Sequence, residues 1–317
     1  MARSKKKVKV RWGRIFGALF FIGIFMVGLV QVIDYIGTTI QALNQPLKKV
    51  EANQSFQGEK TNHKTDPFNV LLLGSDSRGE EQARTDTIMV AHYNPQTHKI
   101  KLISLMRDMY VSIPDHRKQK LNAAYSLGGP DLLRETIKEN FGLDIHYYAT
   151  IDFQGFEKAV DLLAPNGIEV EVPYEMTAGI GMTLEQGTQV LHGKELLGFV
   201  RFRQDRLSDF GRVQRQQEVI SKLSEEVASF NSVKKLPELL GLLHTHVDTN
   251  LEPSTLLKIG KDVLTEKGGE IDTLRIPEDD SFENNRYEGI GEVLEVDFEQ
   301  NKERLKEFLG ENESLQD

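Results

Sequence analysis

Apolar and polar positions divide the chain into three stretches. From Ile15 to Val30 every residue is apolar or glycine; Gln31 interrupts, Val32 and Ile33 continue, and Asp34 ends the run. At the helical rise, Ile15–Ile33 spans about 28 Å, close to the hydrocarbon thickness of a bilayer. Polar residues then dominate as far as Asp66-Pro67. From Phe68 onward, short apolar runs alternate with turn signals and amphipathic stretches. Phe68–Leu73, Thr87–Tyr93 and Lys99–Leu105 read as strands, the last two joined by the turn Asn94-Pro-Gln-Thr-His98. Tyr147–Ile151, Ile168–Val172, Leu196–Phe202 and Asp272–Ile276 read as further strands. Helical periodicity covers Asp131–Phe141, with the Gly128-Gly129-Pro130 loop before it and Asp131 placed to cap. It also covers Asp152–Leu163, Leu236–His244, Ser254–Leu264 and Asp297–Leu309. Asp209–Phe230 is a long helix whose stripe Val213, Ile220, Leu223, Val227 has core spacing. The alternation predicts an α/β fold: an αβα sandwich with a mixed central sheet, preceded by one N-terminal transmembrane helix.

Charge sharpens this division. Residues 1–33 hold seven basic side chains and no acid, while the remainder carries 32 basic against 48 acidic residues, a net of −16. The positive-inside bias puts the N-terminus in the cytoplasm and the rest outside. No small-x-small cleavage site follows the apolar run, which favours a retained signal anchor over a cleaved peptide. The predicted organisation is a basic tail (1–14), a signal anchor (15–36), an extracellular stalk (37–66), an extracellular globular domain (67–310) and a fraying tail (311–317). An exterior this acidic repels nucleic acid, whose non-specific binding comes from neutralised phosphates. The absence of cysteine excludes disulfides and thiolate metal sites.

Candidate chemistry gathers where apolar strands stop. After Asn69–Leu73 come Gly74, Asp76 and Arg78, with Arg84 and Asp86 just behind. If Tyr93 pairs with Lys99 in the hairpin, Asp86 lies opposite Met106 and Arg84 opposite Asp108, which brings Arg107 to the same sheet end. In an extended segment Arg201 and Arg203 share one face. Arg212 and Gln216 share a face of the next helix, and Asp209 stands at its start. Several arginine forks suit a pyrophosphate. Paired aspartates suit Mg²⁺, which takes one or two carboxylates and leaves room for water and phosphate. The residues alone therefore read as a metal beside a phosphorylated substrate, outside the membrane. His244-Thr-His246 is a weaker metal candidate.

At these positions the chain resembles the LytR–CpsA–Psr family of Gram-positive cell-envelope proteins. The resemblance is carried by Val70-Leu-Leu-Leu-Gly-Ser-Asp-Ser-Arg78, Arg84-Thr-Asp-Thr-Ile-Met89, Ile103-Ser-Leu-Met-Arg-Asp108 and Lys120-Leu-Asn-Ala-Ala-Tyr125. It continues through Leu191-His-Gly-Lys-Glu-Leu196, Val200-Arg-Phe-Arg203 and Asp209-Phe-Gly-Arg-Val-Gln-Arg-Gln-Gln217. These motifs cover about 68–225. Ala164-Pro-Asn-Gly167 departs from the family's double-glycine turn.

The resemblance implies a membrane-anchored, extracellular phosphotransferase. It would move an anionic glycopolymer, such as wall teichoic acid, from a polyprenyl-pyrophosphate carrier to a peptidoglycan hydroxyl. Polyprenyl phosphate would be released. It implies that Asp76 and Asp86 hold Mg²⁺ (or Mn²⁺) and that Arg84 sits at the reacting phosphate. Arg78, Arg107, Arg201, Arg203, Arg212 and Gln216 would bind the pyrophosphate, with Asp209 orienting the arginines. The expected partners are the lipid-linked glycopolymer, peptidoglycan and the bilayer. A polyprenyl-pyrophosphate phosphatase and a non-catalytic carrier-binding protein are alternatives. A membrane-bound transcriptional regulator is a further one, disfavoured by charge and location.

Overall fold

A computed structural model describes residues 56–75, 85–205, 208–227, 236–252, 254–256, 258–259 and 271–310. The predicted basic tail, membrane helix, most of the stalk and the C-terminal tail lie outside the described residues, as does Phe230. Leu264 and part of the helix expected from Ser254 do too; 254–256 and 258–259 are helical. Among the described residues no helix is long and apolar enough to cross a membrane.

Six strands form the central mixed sheet: β1 (Phe68–Ser75), β2 (Thr85–Tyr93), β3 (Ile100–Leu105), β6 (Tyr147–Asp152), β9 (Val247–Thr249) and β10 (Asp272–Ile276). Their order is β10-β3-β2-β1-β6-β9. β1–β2 and β2–β3 are antiparallel, so β1 and β3 run the same way, while β1–β6 and β3–β10 are parallel. Alternation sorts the side chains onto two faces. Leu71, Leu73, Ile88, Val90, Ile103 and Leu105 face the core shared with α1 (Leu121–Phe141), where Leu121, Ala124, Leu133 and Ile137 are buried. On the other face, Phe68 and Val70 meet Tyr93 and Leu251. Thr87 and Ser104 there receive amide side chains from α4 (Asp209–Val227), through Gln216 and Gln217. Helices on both faces make the predicted sandwich.

A second apolar cluster joins α2 (Phe153–Leu163), α3 (Gly193–Arg201) and α4 to the small hairpin β7–β8 (Ile168–Val172, Gly187–Leu191). The remaining elements are β4 (Tyr110–Val111), β5 (Gln119–Lys120), α5 (Leu236–His246), the hairpin β11–β12 (Phe282–Tyr287, Gly291–Val296) and α6 (Phe298–Leu309). Asp152 and Asp297 cap α2 and α6 by accepting from Gly155 N–H and Gln300 N–H. β11–β12 is fastened at several places, among them the Tyr287 ring stacked on Tyr110 at 4.7 Å. Leu294 N–H donates to Asp108 O at 3.0 Å, and the Phe282 ring stacks on Phe210 at 5.4 Å.

Several sequence expectations need correction. Leu196–Phe202 is not a strand but the body of α3, whose start carries a capping box between His192 and Glu195. The β2–β3 register is shifted by one residue: Tyr93 pairs with Ile100, not Lys99. α1 begins at Leu121 and is interrupted at Gly128 and Gly129, the latter at φ +66°. The Asp131 carboxylate accepts from Arg134 Nε and from Gln57 N–H in place of capping that helix.

At the sheet end remote from the candidate residues, Asn69 ties three segments together. Its Nδ2 donates to Asp144 O at 2.6 Å, which leaves Oδ1 to accept from His92 Nδ1 at 2.8 Å. Its backbone N–H donates to His146 Nδ1 at 3.0 Å. Burial, then the nearby Lys101 and His146, bring the His92 pKa down to about 4. Below the unfolded value near 6.5 the unfolded chain takes up the proton first, so stability should fall as pH drops from about 6.5 to about 4. The His92 share of that loss is about 3 kcal/mol. His92→Asn keeps a donor at the same place and should flatten the pH dependence of thermal unfolding over this window. An unchanged slope would show that His92 does not set it.

Candidate functional site

At the other end of β1 and β2 the ladder breaks its register between Gly74 and Ser75. A Cβ at Gly74 would lie 3.1 Å from Thr87 Cβ, so the glycine lets the two strands stay close where they open onto a cavity. That cavity has a volume of about 420 Å³. Gly74, Asp86 and Thr87 form its sheet wall, and Phe153 comes from the start of α2. Arg201, Arg203 and Gln204 come from the end of α3 and the segment after it. Arg212 and Gln216 come from α4, and Ala178-Gly179 close the rim.

One carboxylate organises the arginines. Asp209 lies 2.8 Å from Arg212 Nη2, 3.2 Å from Arg203 Nε and 3.5 Å from Arg107 Nε. Arg107 also pairs with Asp86 and sits 3.4 Å from Asp108, which Lys120 holds in turn at 2.7 Å. Extending the observed β2–β3 register places Asp86 opposite Arg107, so the one-residue shift tightens the expected cluster. Arg201 ends α3 with its guanidinium 4.2 Å from the centroid of the Phe153 ring. Gln216 Nε2 donates to Thr87 Oγ1 at 2.9 Å, fixing α4 against β2.

Burial and charge oppose each other here. The Arg212 side chain is 3 % exposed. Burial lowers its pKa to about 10, with Asp209 opposing and Arg107 adding to the drop. It stays charged at neutral pH. Burial likewise works against the charge on Arg107, but Asp209, Asp86 and Asp108 outweigh it and raise its pKa. The Nε atoms of Arg107, Arg203 and Arg212 and Asp209 Oδ1 are buried without a hydrogen bond of good geometry. Arg203 and Arg212 of this partly matched set line the cavity, an arrangement suited to an anion with several oxygens.

Of the sequence-predicted residues, Asp86, Arg107, Arg201, Arg203, Asp209, Arg212 and Gln216 are brought together. Arg201 and Arg203 meet the cavity from a helix end and the segment after it, not from one face of a strand. Asp76, Arg78 and Arg84 lie outside the described residues. Asp86, with 47 % of its side chain exposed, lines the cavity while one of its oxygens is held by Arg107. That donor set fits Mg²⁺, which needs few carboxylates. Among the described residues no group of three His, Asp or Glu side chains forms a metal cage. Of the His244/His246 candidate, the His244 side chain lies outside the described residues, while His246 Nδ1 faces Asp152 at 3.2 Å and Nε2 faces Lys158 at 2.8 Å. Sequence reasoning missed Phe153, Thr87 and the Asp108–Lys120 pair. Phe153 is a single aromatic one residue past a helix cap, and only the fold reveals its neighbour Arg201.

A model of the LytR_cpsA_psr family matches residues 32–307. The regulatory protein MsrR of Staphylococcus aureus is 38 % identical over 284 residues, covering 90 % of this chain and 86 % of the relative. The polyisoprenyl-teichoic acid–peptidoglycan teichoic acid transferase TagU of Oceanobacillus iheyensis is 33 % identical over 270 residues, covering 80 % and 82 %. Among solved structures, TagT bound to LIIa-WTA superposes with a TM-score of 0.63 at 25 % identity, over 84 % of this chain and all of that one.

Proposed function

The chain belongs to the LytR–CpsA–Psr family, and from that premise we propose that it transfers an anionic glycopolymer from a polyprenyl-pyrophosphate carrier to a peptidoglycan hydroxyl. The observation that carries the reading is the convergence of Arg201, Arg203 and Arg212 on one cavity at the sheet end, with Arg107 joined to them through Asp209 and Asp86. The similarity to the TagU teichoic acid transferase and to TagT with its bound LIIa-WTA supplies the class of polymer and acceptor.

In this reading the arginines and Gln216 bind the oxygens of the pyrophosphate and keep its charge spread as the bridge breaks. The acceptor hydroxyl attacks the phosphorus on the sugar side. A new P–O bond forms to the peptidoglycan oxygen, the P–O bond of the bridge breaks, and polyprenyl phosphate leaves. Asp86 or Asp76 takes the hydroxyl proton. By the family resemblance Arg84 sits at the reacting phosphate and Arg78 beside it. Asp86 and Asp76 would hold Mg²⁺ (or Mn²⁺), which when bound neutralises charge on the phosphate oxygens. The anchor at 15–36 confines the enzyme to the bilayer that holds its lipid substrate, raising the effective concentration.

The test is transfer by the full chain in lipid nanodiscs, with a polyprenyl-pyrophosphate glycan and peptidoglycan. Polymer should appear on the peptidoglycan. Hydrolysis of the bridge to glycan phosphate and polyprenyl phosphate, with nothing on the peptidoglycan, would make the protein a phosphatase, and carrier binding without turnover would make it a binder. Chelation should lower transfer at least about tenfold, with recovery on adding Mg²⁺; full activity in chelator would remove the metal from the mechanism. The name of the MsrR relative suggests regulation. The net charge of −16 beyond residue 33 disfavours direct contact with DNA.

A further inference from the structure

We propose that Arg215, with Asp205 and Tyr174, is the positioning element that shapes the segment Phe202–Asp205 so that Arg203 and Gln204 present themselves to the cavity. The inference rests on the donor-site reading above but concerns residues that reading leaves unused. Arg212 and Gln216 point from α4 into the cavity; Arg215, between them, does not line it. Its guanidinium is turned to the backbone. Nε donates to Phe199 O at 3.1 Å, Nη2 donates to Phe202 O, and Nη1 donates to Asp205 Oδ2 at 2.9 Å. Tyr174 OH donates to the same Asp205 oxygen. The planar group lies near the rings of Phe199 and Phe202, with centroids at 5.8 and 5.7 Å.

The burial is deep: 8 % of the Arg215 side chain is exposed and 3 % of Asp205. Residues 202–204 are outside helix and strand, so beyond the Phe202 N–H bond to Gly198 O side chains help fix their path. One fork meets the last turn of α3, the residue just past its end, and Asp205 three residues on. Arg203 and Gln204 lie between the held positions. Only a guanidinium can serve three acceptors in this arrangement; an ammonium on the same stem reaches the carboxylate but not both carbonyls. Tyr174 and Arg215 together outweigh burial and hold the Asp205 carboxyl below its usual range, while burial and Asp205 raise Tyr174 to about 12. The clamp therefore keeps one charge state across the neutral range. Because Asp205 matches the charge of Arg215, the pair adds little to the field at the cavity. Its effect passes through where Arg203 is placed.

The full chain should be compared with Arg215→Lys, Arg203→Ala and the double variant. Hydrogen exchange at 202–205 is expected to quicken about tenfold in Arg215→Lys, with less change at the sheet. Unchanged exchange there would overturn the clamp. In calorimetry with inorganic pyrophosphate, each single variant should weaken binding about tenfold and the double variant no more than either. Losses that multiply to about a hundredfold would make Arg215 independent of Arg203 and sink the inference. If the wild type itself fails to bind pyrophosphate, the donor-site reading falls, while the exchange measurement still decides the clamp. If Arg215→Lys does not fold, Tyr174→Phe removes one hydroxyl from the same network and should quicken the same exchange about threefold; no change would again count against it.

Discussion

Asp209→Ala is expected to lower the midpoint of thermal unfolding by about 10 °C and to make that midpoint more sensitive to pyrophosphate than that of the wild type. Asp209 is the shared partner of Arg107, Arg203 and Arg212. Arg212 is nearly sealed from solvent and already depressed by burial. Removing one partner of a buried pair costs about 3–5 kcal/mol, because the remaining charge keeps its desolvation cost without its counter-charge. For a domain of this size each kcal/mol moves the midpoint by about 2–4 °C. A bound anion would supply the missing negative charge, so pyrophosphate should stabilise the variant more than the wild type. Differential scanning calorimetry with and without pyrophosphate measures both effects. A variant that melts like the wild type would mean that the three arginines do not depend on Asp209.

Arg201→Ala should reduce kcat/KM for transfer by about 10²–10³-fold, the range seen when one donor to a developing charge is removed. Arg201→Lys should recover only part of this, leaving a deficit of about tenfold, because an ammonium lacks the planar fork and the stacking surface. Stacking on Phe153 holds the guanidinium at the cavity wall, so Phe153→Leu should act in the same direction more weakly. The midpoint of unfolding should barely move in Arg201→Lys, which separates this effect from that of Asp209. Steady-state kinetics with a soluble short-chain carrier would measure it. Full activity in the alanine variant would remove Arg201 from the reaction.

Much of the fold was legible because its strands announce themselves. Phe68–Leu73 and Thr87–Tyr93 are β-rich runs ended by a glycine or a turn, and both are strands. The hairpin register was off by one because the connection is wider than its turn residues suggested. Asn94 Oδ1 accepts from the N–H groups of Gln96 and Thr97, His98 adopts a left-handed conformation, and Asn94 N–H closes on Lys99 O. Lys99 thus belongs to the loop. α3 was misread because Leu196–Phe202 is almost continuously apolar, and buried helix and buried strand look alike at that length. The better clue was Glu195 three residues after His192, the spacing of a capping box. Arg201 and Arg203 were still recognised as site residues, since their charge at the end of an apolar run holds for either element. Arg215 was hidden for the opposite reason. In a run of Arg and Gln on one helix, nothing in the sequence says which guanidinium meets a ligand and which meets backbone carbonyls.

The C-terminal hairpin carries a consequence for the order of synthesis. β11–β12 is held by Asp108 O, next to Arg107, and by the Phe282 ring on Phe210, next to Asp209. β10 closes the sheet edge beside β3, the strand that leads to Arg107. The residues of the cavity are therefore made first, and the pieces that brace the neighbours of Arg107 and Asp209 are made later. A chain still emerging from the ribosome would own every arginine of the site without yet having the geometry. Competence arrives only with completion, so truncated products would be silent rather than misdirected.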